Sequence, residues 1–181
     1  AGDGTCGSCP VDSHFNVKGV GTVVLGSVIH GHFRKHDKMT VLPPRKEVVL
    51  KSIQKHDLDA DDAVRGDHVG LALRGIDSEE LDRGYVITTD PSVRMSGGIE
   101  GRAALVKYWP SALKEGMVLH VGHWMQMVPA RITRVVNGSD FRAPEISMDL
   151  ESDIIHRPGD TAVIMYLEGG KLRVVGRITL A

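Results

Sequence analysis

Aromatic residues are scarce in this chain, cysteines number two, and no long apolar run occurs. A membrane-crossing helix needs roughly 20 consecutive apolar residues, and no stretch approaches that. No basic start leads into an apolar stretch, the pattern of a secretory leader. A cytoplasmic location with no membrane partner is therefore expected. Charge of one sign is also missing: 22 Lys and Arg stand against 23 Asp and Glu, a formal charge of -1. Proteins that grip nucleic acid over a wide face carry a basic excess, so nucleic-acid binding here must rely on a local patch. The first residue is Ala1, not methionine, as expected of a chain processed, tagged or cut from something longer.

Both cysteines fall in Thr5-Cys6-Gly7-Ser8-Cys9-Pro10. Such a C-x-x-C pair can be a redox dithiol or half of a zinc site. A redox pair opens a helix after a strand, whereas Gly2, Gly4, Gly7, Ser8 and Pro10 surround this one and spell a linker. A closed zinc site needs four ligands, and only His14 is near in sequence. An exposed linker carrying two thiols is the expectation, with no metal site.

Strand signals fill the rest. Val20 to Ile29, Met39 to Leu42, Glu47 to Ile53, Val69 to Leu73 and Tyr85 to Thr88 are short β-branched or alternating runs with turn residues between them. Asp90-Pro91-Ser92 and Ser96-Gly97-Gly98 form a break. Six more runs follow: 102–108, 117–126, 130–136, 145–150, 161–167 and 172–179. Asn137-Gly138 and Glu168-Gly169-Gly170 supply residues that tolerate the positive φ of tight hairpins. Helix is limited to one turn at Ser78–Arg83, capped by Asp77 or Ser78, and a short turn at Asp59–Val64. The fold class expected is all-β: two antiparallel β-barrels in tandem, with residues 1–10 a linker, 11–90 the first barrel and 91–181 the second.

Phe15-Asn-Val-Lys-Gly-Val-Gly-Thr-Val-Val-Leu-Gly26 looks superficially like a phosphate loop. A P-loop, however, places Lys-Ser or Lys-Thr after its glycines and then a helix. Lys18 precedes the glycines here, and Thr-Val-Val-Leu is strand-forming. A hairpin or bulge at a barrel rim is expected instead.

The same stretch resembles the opening of domain II in the elongation factor Tu family of translational GTPases, F-x-[IV]-x-G-x-G-T-V-V-x-G. Gly66-Asp-His-Val-Gly-Leu-Ala-Leu-Arg-Gly75 and Leu81-Asp-Arg-Gly-Tyr-Val86 are similar to its G-[DE]-N-V-G-x-x-[LV]-R-G and I-x-R-G-x-V blocks. Lys51-Ser-Ile-Gln-Lys-His56 resembles a segment of elongation factor 1-alpha and of selenocysteine-specific elongation factors. The second half resembles domain III at Leu113–Gly122, Arg157–Val163 and Leu172–Arg177. The family's GTPase domain, with its P-loop and N-K-x-D motifs, precedes domain II, and neither motif is in this sequence.

The resemblance implies a tRNA-binding pair of domains that holds the aminoacylated 3′ end. Its partners would be aminoacyl-tRNA, the ribosome and an N-terminal GTPase domain of the parent chain. No enzyme activity, catalytic residue or cofactor is expected in this chain, GTP and Mg belonging to the GTPase domain. Matching positions place Phe15, Val17, Val23 and Leu25 on one wall of the 3′-end pocket, with Gln54 and His68 facing them. The alternative for Val17 and Val23 is plain barrel core. His68 stands where the family commonly has Asn, and Leu25 where it has Thr. Arg34 and Lys35 lie in the polar segment His30–His36, whose His30 and His32 would share one strand face. They are candidates for tRNA backbone contact, as are Arg131, Arg134, Arg173 and Arg177, with Arg142 and Arg157 on the same supposed strip.

A general and a selenocysteine-specific factor would differ in pocket charge, because a selenolate needs a nearby cation. Ser13, His14 and His56 leave that open. The alternative from another class is a barrel module that docks on ribosomal RNA or a protein. The acidic run Asp57–Asp62 suits a protein partner and would repel phosphate.

Overall fold

The computed structural model describes residues 6–181. Two compact units divide between Pro91 and Ser92. The first contains β1 (Ser8–Val17), β2 (Gly21–Ser27), β3 (His32–Arg34), β4 (Lys38–Leu42), β5 (Lys46–Lys55), β6 (Leu58–Ala60), β7 (Asp62–Val64), β8 (His68–Arg74) and β9 (Val86–Thr88). Neighbours run β4-β9-β1-β2-β8-β5, and β5 pairs back onto β4, so the ring closes with β6 added beside β5. β3 and β7 form a separate ribbon. Alternation along each strand turns one set of side chains inward. Val24, Leu50, Ile53, Leu71 and Ile87 are fully buried, and Phe33 of the ribbon seals the same core.

The second unit contains β10 (Arg94–Leu105), β11 (Val118–His123), β12 (Gln126–Val136), β13 (Glu145–His156), β14 (Thr161–Glu168) and β15 (Lys171–Thr179), closed in the order β10-β13-β12-β11-β14-β15. Leu119, Ile132, Ile146, Met148, Ile164 and Ile178 fill it. Trp109 meets Tyr166 edge to face at 5.7 Å. In the second unit closure pairs every strand on both sides and leaves that ring without an open edge.

Several expectations need correction. The linker does not extend to residue 10: Ser8, Cys9 and Pro10 belong to β1, paired with β9, and Cys9 is fully buried. Residues 1–5 of that expected linker lie outside the described residues. Short apolar-poor sequence concealed the strand, whose backbone partners, Val86 to Thr88, lie far downstream. Asp59–Val64 is no turn of helix but the strands β6 and β7. Ser96-Gly97-Gly98 does not break the chain; it is a bulge inside β10. The run 117–126 is a hairpin, turning at Trp124 and Met125, both at positive φ. Asn137-Gly138 opens a longer connection, residues 137–144, instead of a tight turn. Gly169-Gly170 does make the two-residue hairpin, with φ of 56° and 75°. The helical turn at Ser78–Glu80 is a 3-10 turn whose Glu80 carboxylate accepts the Asp77 N–H at 2.9 Å.

Candidate functional site

The glycine-rich stretch is the β1–β2 hairpin, with Gly19 at φ 81° and Gly21 at φ 100°. No helix follows it, so these residues do not fit a nucleotide's phosphates. Its function is to set the register of two strands. That register pairs Phe15 with Val23 and Ser13 with Leu25. Across the next interface Val23 pairs with Ala72, Leu25 with Gly70, and Ser27 with His68. One strand further, Gln54 pairs with Gly70.

The outer face of the first barrel therefore carries a row Ser13, Leu25, Gly70, Gln54 across four strands. Gly70 is its floor: a Cβ there would sit 3.5 Å from Leu25 Cδ2 and 3.9 Å from Gln54 Cβ. Leu25 and Gln54 are the walls, two strand spacings apart, about 10 Å. His68 closes one end, its Nδ1 2.7 Å from Ser27 Oγ. The cleft measures about 400 Å³ and also takes in Asp12, His56 and Asp57. Three expected pocket residues, Leu25, Gln54 and His68, thus meet in one cleft.

Phe15 and Val23 form the adjacent row on the same outer face, Phe15 being 41% exposed. Val17 and Val23 are not barrel core; Val24, pointing the other way, is. Val17 pairs with Gly21 beside the hairpin. It stands four residues along β1 from the Ser13 row, about 13 Å at 3.3 Å per residue. It therefore lies outside the cleft and extends the apolar strip.

Two turns hold the cleft in shape. His56 and Asp57 form a two-residue hairpin between β5 and β6, both left-handed at φ 50° and 63°. Without a glycine, nothing in the sequence marks this turn, and it is the turn that brings His56, already weighed for the pocket's charge, and Asp57 to the cleft. Asp67 precedes His68 and fastens the other turn. The Val64 N–H, at 2.9 Å, and the Lys55 ammonium, at 3.1 Å, hold its carboxyl below the usual carboxylate range.

His14 is directed elsewhere, its Nδ1 3.0 Å from Ser78 Oγ. Cys9 is a core residue whose thiol burial pushes up to about 12, which removes it from thiolate or redox chemistry. The expected exposed pair of thiols is corrected accordingly.

The basic candidates do not form one strip. Arg131 and Arg134 lie on β12, Arg173 and Arg177 on β15, and these strands stand three apart either way round the ring. A six-stranded ring puts them on opposite faces. Arg131 donates to the Gly116 carbonyl at 3.1 Å, and Arg173 pairs with Glu168 at 3.2 Å. Arg134 and Arg177 are exposed. Arg142 and Arg157 are engaged locally: Arg142 donates to the Val106 carbonyl at 2.8 Å, and Arg157 meets Asp160 at 3.4 Å. In the first barrel Arg34 is exposed on β3, while Lys35 pairs with Asp61 at 3.1 Å.

A family model described as elongation factor Tu domain 2 matches residues 21–88. An uncharacterized protein of Methanocaldococcus jannaschii is 33% identical over 92% of this chain and 52% of its own length. The selenocysteine-specific elongation factor of the same organism is 30% identical, over 88% of this chain and 37% of its own. The crystal structure of apo translation elongation factor SelB from Methanococcus maripaludis superposes with a TM-score of 0.86 at 25% identity, over 97% of this chain and 42% of that one. The chain thus spans about half, or less, of the length of the relatives it matches. Motif order, ring topology and these likenesses agree: residues 21–88 match the elongation factor Tu domain 2 family, and the two successive barrels together are similar to barrels of translation elongation factors.

Proposed function

We propose that the first barrel holds the aminoacylated 3′ end of a tRNA, within a translation elongation factor whose GTPase activity resides in sequence outside these barrels. The observation that carries this reading is the cleft over Gly70, walled by Leu25 and Gln54 and ended by His68. A terminal adenine needs an apolar surface under its face and polar groups at its edge. Leu25 with the Phe15–Val23 strip offers the first; the Gln54 amide and His68 imidazole offer the second. Arg134 on one face of the second barrel, or Arg177 on the other, supplies phosphate contact, along with Arg34. GTP and Mg, the ribosome and the GTPase domain are partners of the whole factor in this reading.

The acidic run gives the docking alternative little support. Asp61 is paired with Lys35, and Asp62 lies 3.8 Å from Lys55, so part of its charge is neutralised within the barrel.

Leu25→Asp tests the proposal. Leu25 is 40% exposed, so the fold tolerates the change. In the full natural chain it should weaken aminoacyl-tRNA binding more than tenfold by adding a carboxylate beside the terminal nucleotide. An unchanged dissociation constant, with unchanged circular dichroism, would remove the cleft from consideration.

A further inference from the structure

The chain holds two asparagines, Asn16 and Asn137, and only the second is followed by glycine. Asn137-Gly138 has the composition of a tight hairpin, but the fold leaves it in the connection between β12 and β13. The strand ladder ends just before it, at the Val136–Glu145 pair. Further along, the connection is tied down. Asp140 Oδ1 accepts the Arg142 N–H at 2.8 Å, and the Arg142 guanidinium donates to the Val106 and Trp109 carbonyls at 2.8 and 3.1 Å. Residues 137–139 are exposed. Among the described residues, neither the Asn137 side chain nor the Gly138 N–H has a hydrogen-bond partner. A Cβ at Gly138 would meet nothing within 4 Å, so the space around this backbone is open. Asn16 is exposed too, but it sits in β1 opposite Thr22, and the branched Val17 follows it.

From this we infer that Asn137-Gly138 is a modification site: it deamidates spontaneously to an isoaspartyl linkage and makes the chain a substrate for methyltransferases that esterify isoaspartyl carboxyls with S-adenosylmethionine. In the first step the Gly138 backbone nitrogen attacks the side-chain carbonyl carbon of Asn137. A new C–N bond closes a cyclic imide, the C–N bond of the side-chain amide breaks, and ammonia leaves with the proton from Gly138. Water then adds to an imide carbonyl and opens its C–N bond. Attack at the main-chain carbonyl gives the isoaspartyl linkage, and attack at the side-chain carbonyl gives an aspartyl residue. Nothing is oxidised or reduced. Ring closure needs the nitrogen and carbon to approach to about 3–3.5 Å. A β-ladder hinders this by holding the backbone extended, and a stiff β-branched neighbour crowds the approach; both apply at Asn16. An unpaired segment with glycine next meets neither obstacle. The product carries one more negative charge and a longer backbone, which the exposed connection 137–144 absorbs without touching the ladder.

The test ages the full natural chain in its folded state at mildly alkaline pH and follows its proteolytic peptides by mass spectrometry. The Asn137 peptide should gain about 1 Da, while the Asn16 peptide stays unchanged. The aged protein should accept labelled methyl groups from S-adenosylmethionine, through a purified isoaspartyl methyltransferase, on the Asn137 peptide; fresh protein should not. Gly138→Val should slow the mass gain about tenfold or more. Gly138 is not at positive φ and has open space around it, so the fold admits this variant. No gain at Asn137, an equal gain at Asn16, or a gain undiminished in Gly138→Val would overturn the inference. A gain at Asn137 without methyl acceptance would overturn it as well, because the product would then be aspartyl alone.

Discussion

Leu25 and Gln54 stand on either side of Gly70, on three adjacent strands, and the missing side chain between them is what makes a cleft. Gly70 is not among the glycines at positive φ, so its conformation suits any residue. Gly70→Ala should therefore fold normally, its new methyl in ordinary contact with Leu25 and Gln54. Gly70→Leu should fill the floor and reduce 3′-end binding about tenfold or more while leaving the melting temperature within a few degrees. Titration of aminoacyl-tRNA against both variants checks this. Equal loss in the two would point to a backbone change instead of a filled cleft.

Phe15 lies on the neighbouring row, partly exposed beside Val23. Phe15→Ala should cost about 1–3 kcal/mol of 3′-end binding if a base stacks there. Its cost in stability should be small, because the ring already meets solvent on one side. Denaturation and binding measured on the same preparation separate the two effects.

The barrels themselves were largely legible. Val and Ile runs with turn residues between them fixed most strand positions, and the domain II motifs fixed the order. What escaped had non-local causes. Ser8-Cys9-Pro10 is a poor strand sequence, made into one by pairing with Thr88, Ile87 and Val86. The Trp124–Met125 and His56–Asp57 turns lack the glycine that announces positive φ. Arg131 and Arg173 looked alike in sequence; only the ring order puts them on opposite faces. Leu25, Gln54 and His68 were found by family resemblance, whereas Asp57 needed the hairpin to bring it to the cleft.

Met125 gives a direct measure of turn strain. A non-glycine residue in left-handed conformation costs about 1–2 kcal/mol, and glycine gives back part of that through its greater freedom when unfolded. Met125, at φ 67° and 44% exposed, has little packing to lose. Met125→Gly should raise stability by about 0.5–1 kcal/mol, read as a shift in the urea midpoint.

Cys9 should be silent to thiol reagents at pH 8 in the folded protein, since burial pushes its thiol up to about 12. It should react fully in denaturant. A native-state reaction at Cys9 would mean that β1 leaves β9 easily.

Acid should weaken the first barrel through Asp67. Its folded carboxyl is held below the ordinary value by the Val64 N–H and Lys55. The stabilisation is therefore present above the unfolded carboxylate range and is lost as pH falls through the folded value. Asp67→Asn should flatten the decline of the urea midpoint between about pH 5 and pH 2. An identical slope in the variant would assign the decline to other carboxylates.

The proposed recognition of the charged end of tRNA is read most directly from the ratio of dissociation constants of the full natural chain for uncharged and alanyl forms of one tRNA. A ratio of about ten or more, collapsing toward one in Gly70→Leu, is the expected result. A ratio of one in the unmodified protein would contradict the account.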